Sequence, residues 1–334
     1  MEVNDDDPLS GEATRFISSA IDPVPGGSVS EYASFCQEHG KRAFLSSNQK
    51  HLWVAGSRGE LMRFPTVPAS APDRVEMREL LKKPKTYVVS YALEPNDTHP
   101  ANAFSYECAG TDYSLKMLPS KSRKHIRRGF RNVRVRLCTW REVLEKGFEA
   151  RVDTDVRHGK QPPERRSFKN FVSEHKDKPF FDFYGAWEND NLVAWVMVTK
   201  VGAETMSSHL CAQTTALRLG VNNALRYAEL KHLLTIEKRR MVSSGMSGFQ
   251  ILKANELSLH ENKLSMGYEA VPVHRQFVLH PGLAPFIGSK AISRVLDGLA
   301  GVFPNSYLLP RLAALSRGVS GRMQDPFAWA RRPE

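Results

Sequence analysis

A mixed α/β fold, with a mostly antiparallel sheet flanked by helices, is the class that the 334-residue sequence predicts. Three observations carry it. Residues 180–214 hold three apolar-rich runs, Phe180–Trp187, Leu192–Lys200 and Glu204–Thr214, joined by turns at Asn189–Asn191 and Gly202. Such runs joined by short turns read as antiparallel strands. Ala224, Tyr227, Leu230 and Leu234 then recur at helical spacing after Gly220, so a helix opens soon after the last strand. A further helix ends at Gly267 and gives way to a strand, Tyr268–Leu279.

The remaining elements are taken in chain order. Residues 1–28 start acidic and become rich in Pro, Gly and Ser, which predicts a flexible lead-in. Residues 29–103 read as an α/β part. It has a helix at Ser30–Gly40, a strand pair Leu52–Ala55 and Leu61–Val67, a helix at Val75–Lys82 and a strand at Tyr87–Leu93. Residues 104–281 form the main domain. Phe104–Leu118 reads as a strand or strand pair, and Ser120 or Ser122 can cap a short helix that Gly129 ends. Val133–Cys138 alternates as a half-exposed strand does, Trp140–Arg157 and Glu164–His175 read as helices, and Arg240–Ser244 as a short strand. Residues 282–334 form a helical extension with a basic tail. There Ile287, Ala291, Ile292, Val295, Leu296 and Leu299 mark an amphipathic helix. That helix is expected to pack on the domain rather than lie on a membrane. Pro304 and Pro310 interrupt the next segment, and Leu308–Leu315 reads as another short helix.

Composition narrows the function. Hydrophobic residues make up 41% of the chain, enough for a core, and no apolar run is long enough to span a bilayer. The acidic start lacks the apolar core of a signal peptide, so the expected location is cytoplasmic. Cys36, Cys108, Cys138 and Cys211 are scattered without a C-x-x-C pair, which predicts reduced thiols and no metal site. The net charge of +11 suggests an acidic partner or simply a basic, soluble surface, and charge alone does not choose among nucleic acid, anionic lipid and a phosphorylated small molecule.

Three stretches can carry chemistry. Gly220 allows a tight turn, and Asn222 or Asn223 reads as the N-cap of the helix after it. The first-turn backbone N–H groups of such a helix make a ready anion site. Lys263 lies one helical turn before Gly267, where an ammonium can stabilise an oxyanion or meet a phosphate. Lys121, Arg123, Lys124, Arg127, Arg128, Arg131, Arg134 and Arg136 lie together with no acid between Asp112 and Glu142, as suits a phosphate backbone.

The order and spacing of these stretches, over about residues 100–280, resemble the GNAT acyltransferase superfamily and within it the Fem-type (FemAB-like) branch. GNAT folds hold the donor's phosphates on a turn and helix after the fourth strand. Fem-type proteins favour Lys four residues before a Gly-aromatic pair, in an F-K-x-x-F-G pattern. Here Lys263 takes that place, with Asn262 for the first Phe and Met266 in the last apolar slot. Lys121, Arg123, Ile126 and Arg127 match a Fem-type K-x-R-x-x-I-R pattern. The turn departs from the GNAT loop at Leu217, where Arg or Gln is usual, and at Asn222, where Gly or Ala is usual.

The resemblance implies a GNAT-like fold and leaves open two GNAT-like halves, with residues 30–118 as a reduced first half. It implies donor phosphate contacts from Arg218, Gly220, Val221, Asn222 and Asn223, and RNA contacts from Lys121, Arg123, Lys124, Arg127, Arg128 and Arg131. Lys263 is the leading catalytic residue. Asp153, Asp155 and His158, on a helix end facing the acceptor in related proteins, and His209, on the strand before the turn, are candidate bases. Water or the substrate can serve instead. The expected activity is amide-bond formation by aminoacyl transfer from aminoacyl-tRNA to a small-molecule or peptide amine. The rivals are an acyl-CoA-dependent N-acyltransferase and a non-catalytic RNA-binding protein. No permanently bound cofactor is expected, and tRNA is the expected partner.

Overall fold

The computed structural model describes residues 22–46, 51–56, 59–247, 254–303, 306 and 309–320. The acidic part of the lead-in (1–21), the middle of the 56–59 turn, Pro304, Leu308 and the basic tail from 321 lie outside the described residues. The elements run α1 Val29–Glu38, β1 Ala43–Leu45, β2 Leu52–Ala55, β3 Glu60–Phe64, α2 Arg74–Leu81, β4 Val88–Leu93 and β5 Ala103–Ala109. Next come α3 Ser120–Asn132, β6 Arg134–Cys138, α4 Trp140–Lys146, α5 Phe148–Arg157, α6 Arg165–Glu174, β7 Phe181–Glu188, β8 Asn191–Val201 and β9 Glu204–Ala212. The chain continues with α7 Thr214–Leu217, α8 Val221–Lys231, β10 Met241–Met246, α9 Ala254–Ser265, β11 Glu269–Leu279, α10 Ala284–Ile287, α11 Lys290–Val302 and α12 Leu309–Val319.

Two compact units divide the chain, each assembled from separated stretches. One comprises residues 29–106, 245–262 and 269–334. Its strands follow the order β1-β2-β3-β4-β11, antiparallel except for the parallel β3–β4 pair. Trp53, Leu61, Met77, Leu80 and Val89 form its core between strands and α2. The Trp53 indole donates to Glu76 Oε1 at 2.7 Å, so the one polar atom of a fully buried ring is satisfied. Arg63, also buried, spends its guanidinium on the backbone carbonyls of Ser70 and Ala92.

The other unit comprises residues 1–28, 107–244 and 263–268. Its strands follow the order β6-β7-β8-β9-β10, antiparallel except for β10 beside β9. β8 is buried at every position but Asn191, which explains its continuous apolar run. α8 packs over β7, β8 and β9 and is prolonged by a turn of π-helix, His232–Ile236. That turn places His232 against the Tyr184 hydroxyl at 2.8 Å and leads to Glu237, which together with Asp182 holds the fully buried Lys200. Lys200 also donates to Val24 O at 3.0 Å, so this polar cluster ties residues 22–27 to the sheet. Burial pushes the Glu237 carboxyl up, but the His232 hydrogen bond and the Lys200 ammonium outweigh it and hold the group at about 2.

Four expectations from the sequence need correction. The stretch Phe104–Leu118 holds one strand, β5, and then a 3₁₀ turn at Leu115–Met117. The basic helix α3 begins after Pro119 with no side-chain cap, and Gly129 does not end it. Gly129 is buried, and a Cβ there would come within 2.5 Å of Ala224 Cβ and 2.6 Å of Gly220 O. The glycine serves close packing of α3 on α8, not helix termination. The long helix Trp140–Arg157 is two helices that break at Gly147, whose carbonyl accepts from the buried Trp195 indole at 2.9 Å. The N-cap of α8 is Gly220, with φ 82°, and neither Asn222 nor Asn223 caps it.

Candidate functional site

Two irregularities in β9 organise the site. Its ladder with β8 shifts register between Trp195↔Cys211 and Met197↔Ser208, so the intervening residues bulge. His209, in that bulge, has φ 51°, a left-handed conformation that is costly for a residue with a Cβ. On the other edge, among the described residues, β10 meets β9 at a single parallel pair, Ser243↔Met206. From Ser207 to Cys211 that edge is not laddered to β10, and at Ala212 Thr154 and Arg157 take the backbone groups; an unladdered strand edge can pair with an extended amide-bearing ligand.

The chain leaves β9 through α7 and turns at Gly220 into α8. Asp153 accepts from the Thr214 backbone N–H at 2.8 Å and so fixes the start of this connection. A Cβ on Gly220 would lie 2.6 Å from His125 O, so α3 closes on the turn. The first turn of α8 then holds Val221, Asn222 and Asn223. Asn223 donates to the Met266 sulfur at 3.3 Å, while the buried Asn222 Oδ1 has no hydrogen-bond partner. Arg218 is exposed. The first-turn N–H groups have no acceptor within their own helix and carry the positive end of its dipole.

Helix α3 lies against this turn through its small face, Ser122, Ile126 and Gly129, all buried. Its other face presents Lys121, Lys124, Arg127, Arg128 and Arg131 to solvent, and the helix has no carboxylate of its own. Arg123 departs from the row and donates to Leu118 O at 3.0 Å. Arg136, further on, is a structural residue that pairs with Glu142 and lies over the Trp187 ring at 4.3 Å.

Lys263 comes from the last turn of α9 and is half-buried. Its ammonium donates to Ser244 O at 3.0 Å, on the strand that touches β9. Gly267, with φ 89°, then turns the chain over Tyr113, which donates to Met266 O at 2.7 Å.

The candidate bases divide into two groups. Asp155 and His209 are joined through Arg151, which donates to Asp155 Oδ2 at 2.6 Å and to His209 Nδ1 at 3.2 Å. A guanidinium only donates, so His209 Nδ1 must accept, and the imidazole is the neutral Nε2–H form. Burial and then the Arg151 charge lower its pKa to about 4. The residue is open to solvent, so the neighbouring charge is the firmer of those causes. A ring in this state offers a hydrogen bond rather than a free base. His158 is exposed at the end of α5 and is lowered by partial burial, then by Arg157 and Lys160. Burial pushes the nearby Cys211 thiol up to about 12, which leaves it inert at neutral pH. Among the described residues, no group of three His, Cys, Asp or Glu is placed to hold a metal ion.

Sequence reading missed a polar cluster beneath β9. Arg226 and Glu229 look like the solvated side of α8, yet Glu229 is fully buried, and Arg226 reaches Ser207, Glu229 at 2.9 Å and Tyr268 at 3.4 Å. Burial pushes the Glu229 carboxyl up despite Arg226 beside it. The signal lay in Ser207, a small polar residue that leaves room for such a contact.

No family model matches the sequence, and no curated protein matches it. Solved structures do. FemX is similar at 11% identity over 82% of this chain and 97% of its own, with a TM-score of 0.54. The C-terminal domain of a putative lysylphosphatidylglycerol synthetase from Agrobacterium fabrum is similar at 11% identity over 78% of this chain and 88% of its own, with a TM-score of 0.51. FemX shares this architecture over almost its full length. The chain therefore has a Fem-type fold, shared with FemX and that synthetase domain.

Proposed function

We propose that this protein is an acyltransferase that forms an amide bond, and that its donor is an aminoacyl group carried on tRNA. The observation that carries the reading is the packing of α3 on α8. The glycine contact between Gly129 and Gly220 sets a row of exposed cations beside a helix N-terminus suited to a donor phosphate. In this reading Gly220–Asn223 anchors the donor's terminal phosphate, and Lys121, Lys124, Arg127, Arg128 and Arg131 follow the adjoining backbone. The donor's carbonyl lies along the open edge of β9. The acceptor amine attacks that carbonyl as its neutral form. Lys263 meets the oxyanion, the bond to the tRNA ribose oxygen breaks, and that oxygen recovers a proton from the amine, directly or through water. His209, held as an Nε2–H donor by Arg151, orients a carbonyl and removes no proton.

The name of one similar structure, a putative lysylphosphatidylglycerol synthetase, points to synthesis of an aminoacylated lipid and supports aminoacyl chemistry for this chain. The test is amide formation from charged tRNA and, separately, from acyl-CoA, with a panel of small amines and peptides. Turnover with charged tRNA supports the reading. Turnover with acyl-CoA alone replaces the donor and keeps the chemistry. Binding of RNA without turnover of either donor would make the protein a binding module.

A further inference from the structure

The bulge in β9 faces a group of charges on α5 that do not cancel. Asp153 and Asp155 each meet a donor, the Thr214 backbone N–H at 2.8 Å and Arg151 Nε at 2.6 Å. The same helix and the turn after it carry three cations, Arg151, Arg157 and Lys160. Arg157 donates to Ala212 O, Thr214 Oγ1 and Thr154 Oγ1 at 3.1–3.3 Å, so every group it meets is neutral. Lys160 is fixed on the turn by its backbone N–H, which donates to Asp155 O at 2.8 Å. Its side chain is exposed, and among the described residues no carboxylate meets the ammonium. Three cations and two carboxylates leave an excess of one positive charge.

His209 stands in this surrounding with one donor unmet. Arg151 occupies Nδ1 at 3.2 Å, and among the described residues nothing accepts from Nε2–H. The Phe171 ring backs the imidazole, with centroids 5.1 Å apart. The titratable groups that bear on the ring are Arg151, His175 and Lys160, which disfavour a second proton, and Asp155, which favours one. A neutral carbonyl would satisfy the Nε2–H and leave the excess charge in place. A carboxylate satisfies both, since a charge-assisted hydrogen bond is stronger than a neutral one. A phosphate monoester brings nearly two negative charges and fits an excess of one less well.

We infer that His209 Nε2–H and the Lys160 ammonium receive a carboxylate of the acceptor, so that the acceptor is an amine that also carries an acid group, such as an amino acid or a peptide with a free acid. The carbonyl that His209 orients is then one arm of that carboxylate. The assignment to the acceptor rests on the acyl transfer proposed above; the carboxylate site itself does not.

The experiment is imidazole NMR of the full chain, with the His209 signal assigned by its loss in His209→Asn. The probes are N-acetylglycine, its neutral amide N-acetylglycinamide, and inorganic phosphate. N-acetylglycine should move the Nε2 resonance and raise the His209 midpoint by about 1–2 pH units, because a bound anion favours the imidazolium. The neutral amide should do neither, and phosphate should bind more weakly. Lys160→Glu should weaken N-acetylglycine more than about ten-fold, and Lys160→Arg should keep it. Neither should change Tm, because the side chain is already in solvent. In acyl transfer, Lys160→Glu should raise KM about ten-fold for a carboxylate-bearing amine and leave that of its neutral amide unchanged, with kcat preserved for both. The site is overturned by no response to N-acetylglycine, an equal response to its amide, tighter binding of phosphate, or binding that Lys160→Glu leaves intact. Turnover with neither donor would overturn the assignment to an acceptor, while the NMR result would still decide the carboxylate site.

Discussion

The two sheets differ in regularity. β4 and β11 pair without interruption from Leu93↔His274 to Val88↔Leu279, and the core on that sheet centres on a satisfied Trp53–Glu76 contact. β9, by contrast, is bulged on one edge, holds His209 at φ 51°, and touches β10 at one pair among the described residues. A continuous ladder uses up its backbone groups and leaves nothing for a ligand. A broken ladder keeps donors and acceptors free and stores strain that the surroundings must offset, as at functional sites. Substitutions on the regular sheet should therefore cost stability, and substitutions around β9 should cost activity.

The sharpest break of that comparison is Trp53→Ala. It removes a fully buried ring and takes one donor from the buried Glu76 carboxylate, which His51 still meets at 3.2 Å, so a loss of about 3–5 kcal/mol is expected in equilibrium urea unfolding. The fraction that remains folded should keep its turnover; a specific activity that falls with stability intact would reverse the roles of the two sheets. Lys263→Ala should do the opposite, costing about 2–4 kcal/mol in kcat/KM with little change in Tm. Near-normal kinetics in that variant would remove Lys263 from the chemistry.

Smaller effects test the helix contact that positions the cations. Gly129→Val drives a branched side chain into Gly220 and Ala224 and should cost about 1–3 kcal/mol in stability, with donor KM rising further. Gly298→Ala in α11 meets nothing within 4 Å and should be neutral or gain up to about 1 kcal/mol. Equal effects at both glycines would show that α3 does not pack tightly on α8.

The smallest effect is on pH. With His209 lowered to about 4 from an ordinary 6.5, the unfolded chain takes up its proton first as pH falls. The folded state is therefore fully favoured above about 6.5 and loses that share progressively as pH drops toward 4. Imidazole NMR should show His209 as the Nε2–H tautomer, titrating well below the ordinary range. A midpoint near 6.5 would break the Arg151 contact and restore His209 as a candidate base.

Much of this was legible in the sequence. The strands Phe180–Trp187, Leu192–Lys200 and Glu204–Thr214 announce themselves because apolar-rich runs and the turn residues between them are local signals. The Gly220 turn and the Lys263–Gly267 stretch were legible because positive-φ glycines punctuate the chain. The illegible parts depend on partners distant in sequence. Gly129 reads as a stop signal until Gly220 lies against it. Arg226 and Glu229 read as a solvated face until Ser207 and Tyr268 enclose them. His209 reads as a base until Arg151 occupies its Nδ1. Val295 and Leu299 on α11 have the pattern of a buried face yet are exposed, and pattern alone does not say whether protein covers it.

Whether α3 guides a long phosphate backbone to the Gly220 turn is tested most directly by the salt dependence of the donor's apparent KM. Wild-type protein and Arg127→Ala with Arg128→Ala would be compared using charged tRNA and acyl-CoA. A guiding α3 predicts a steep rise of the tRNA KM with salt, flattened by about 1–2 units on a log–log plot in the double variant. Single-turnover chemistry at saturating donor should be preserved. A shallow slope that the double variant leaves unchanged, with turnover from acyl-CoA and none from charged tRNA, would contradict that role.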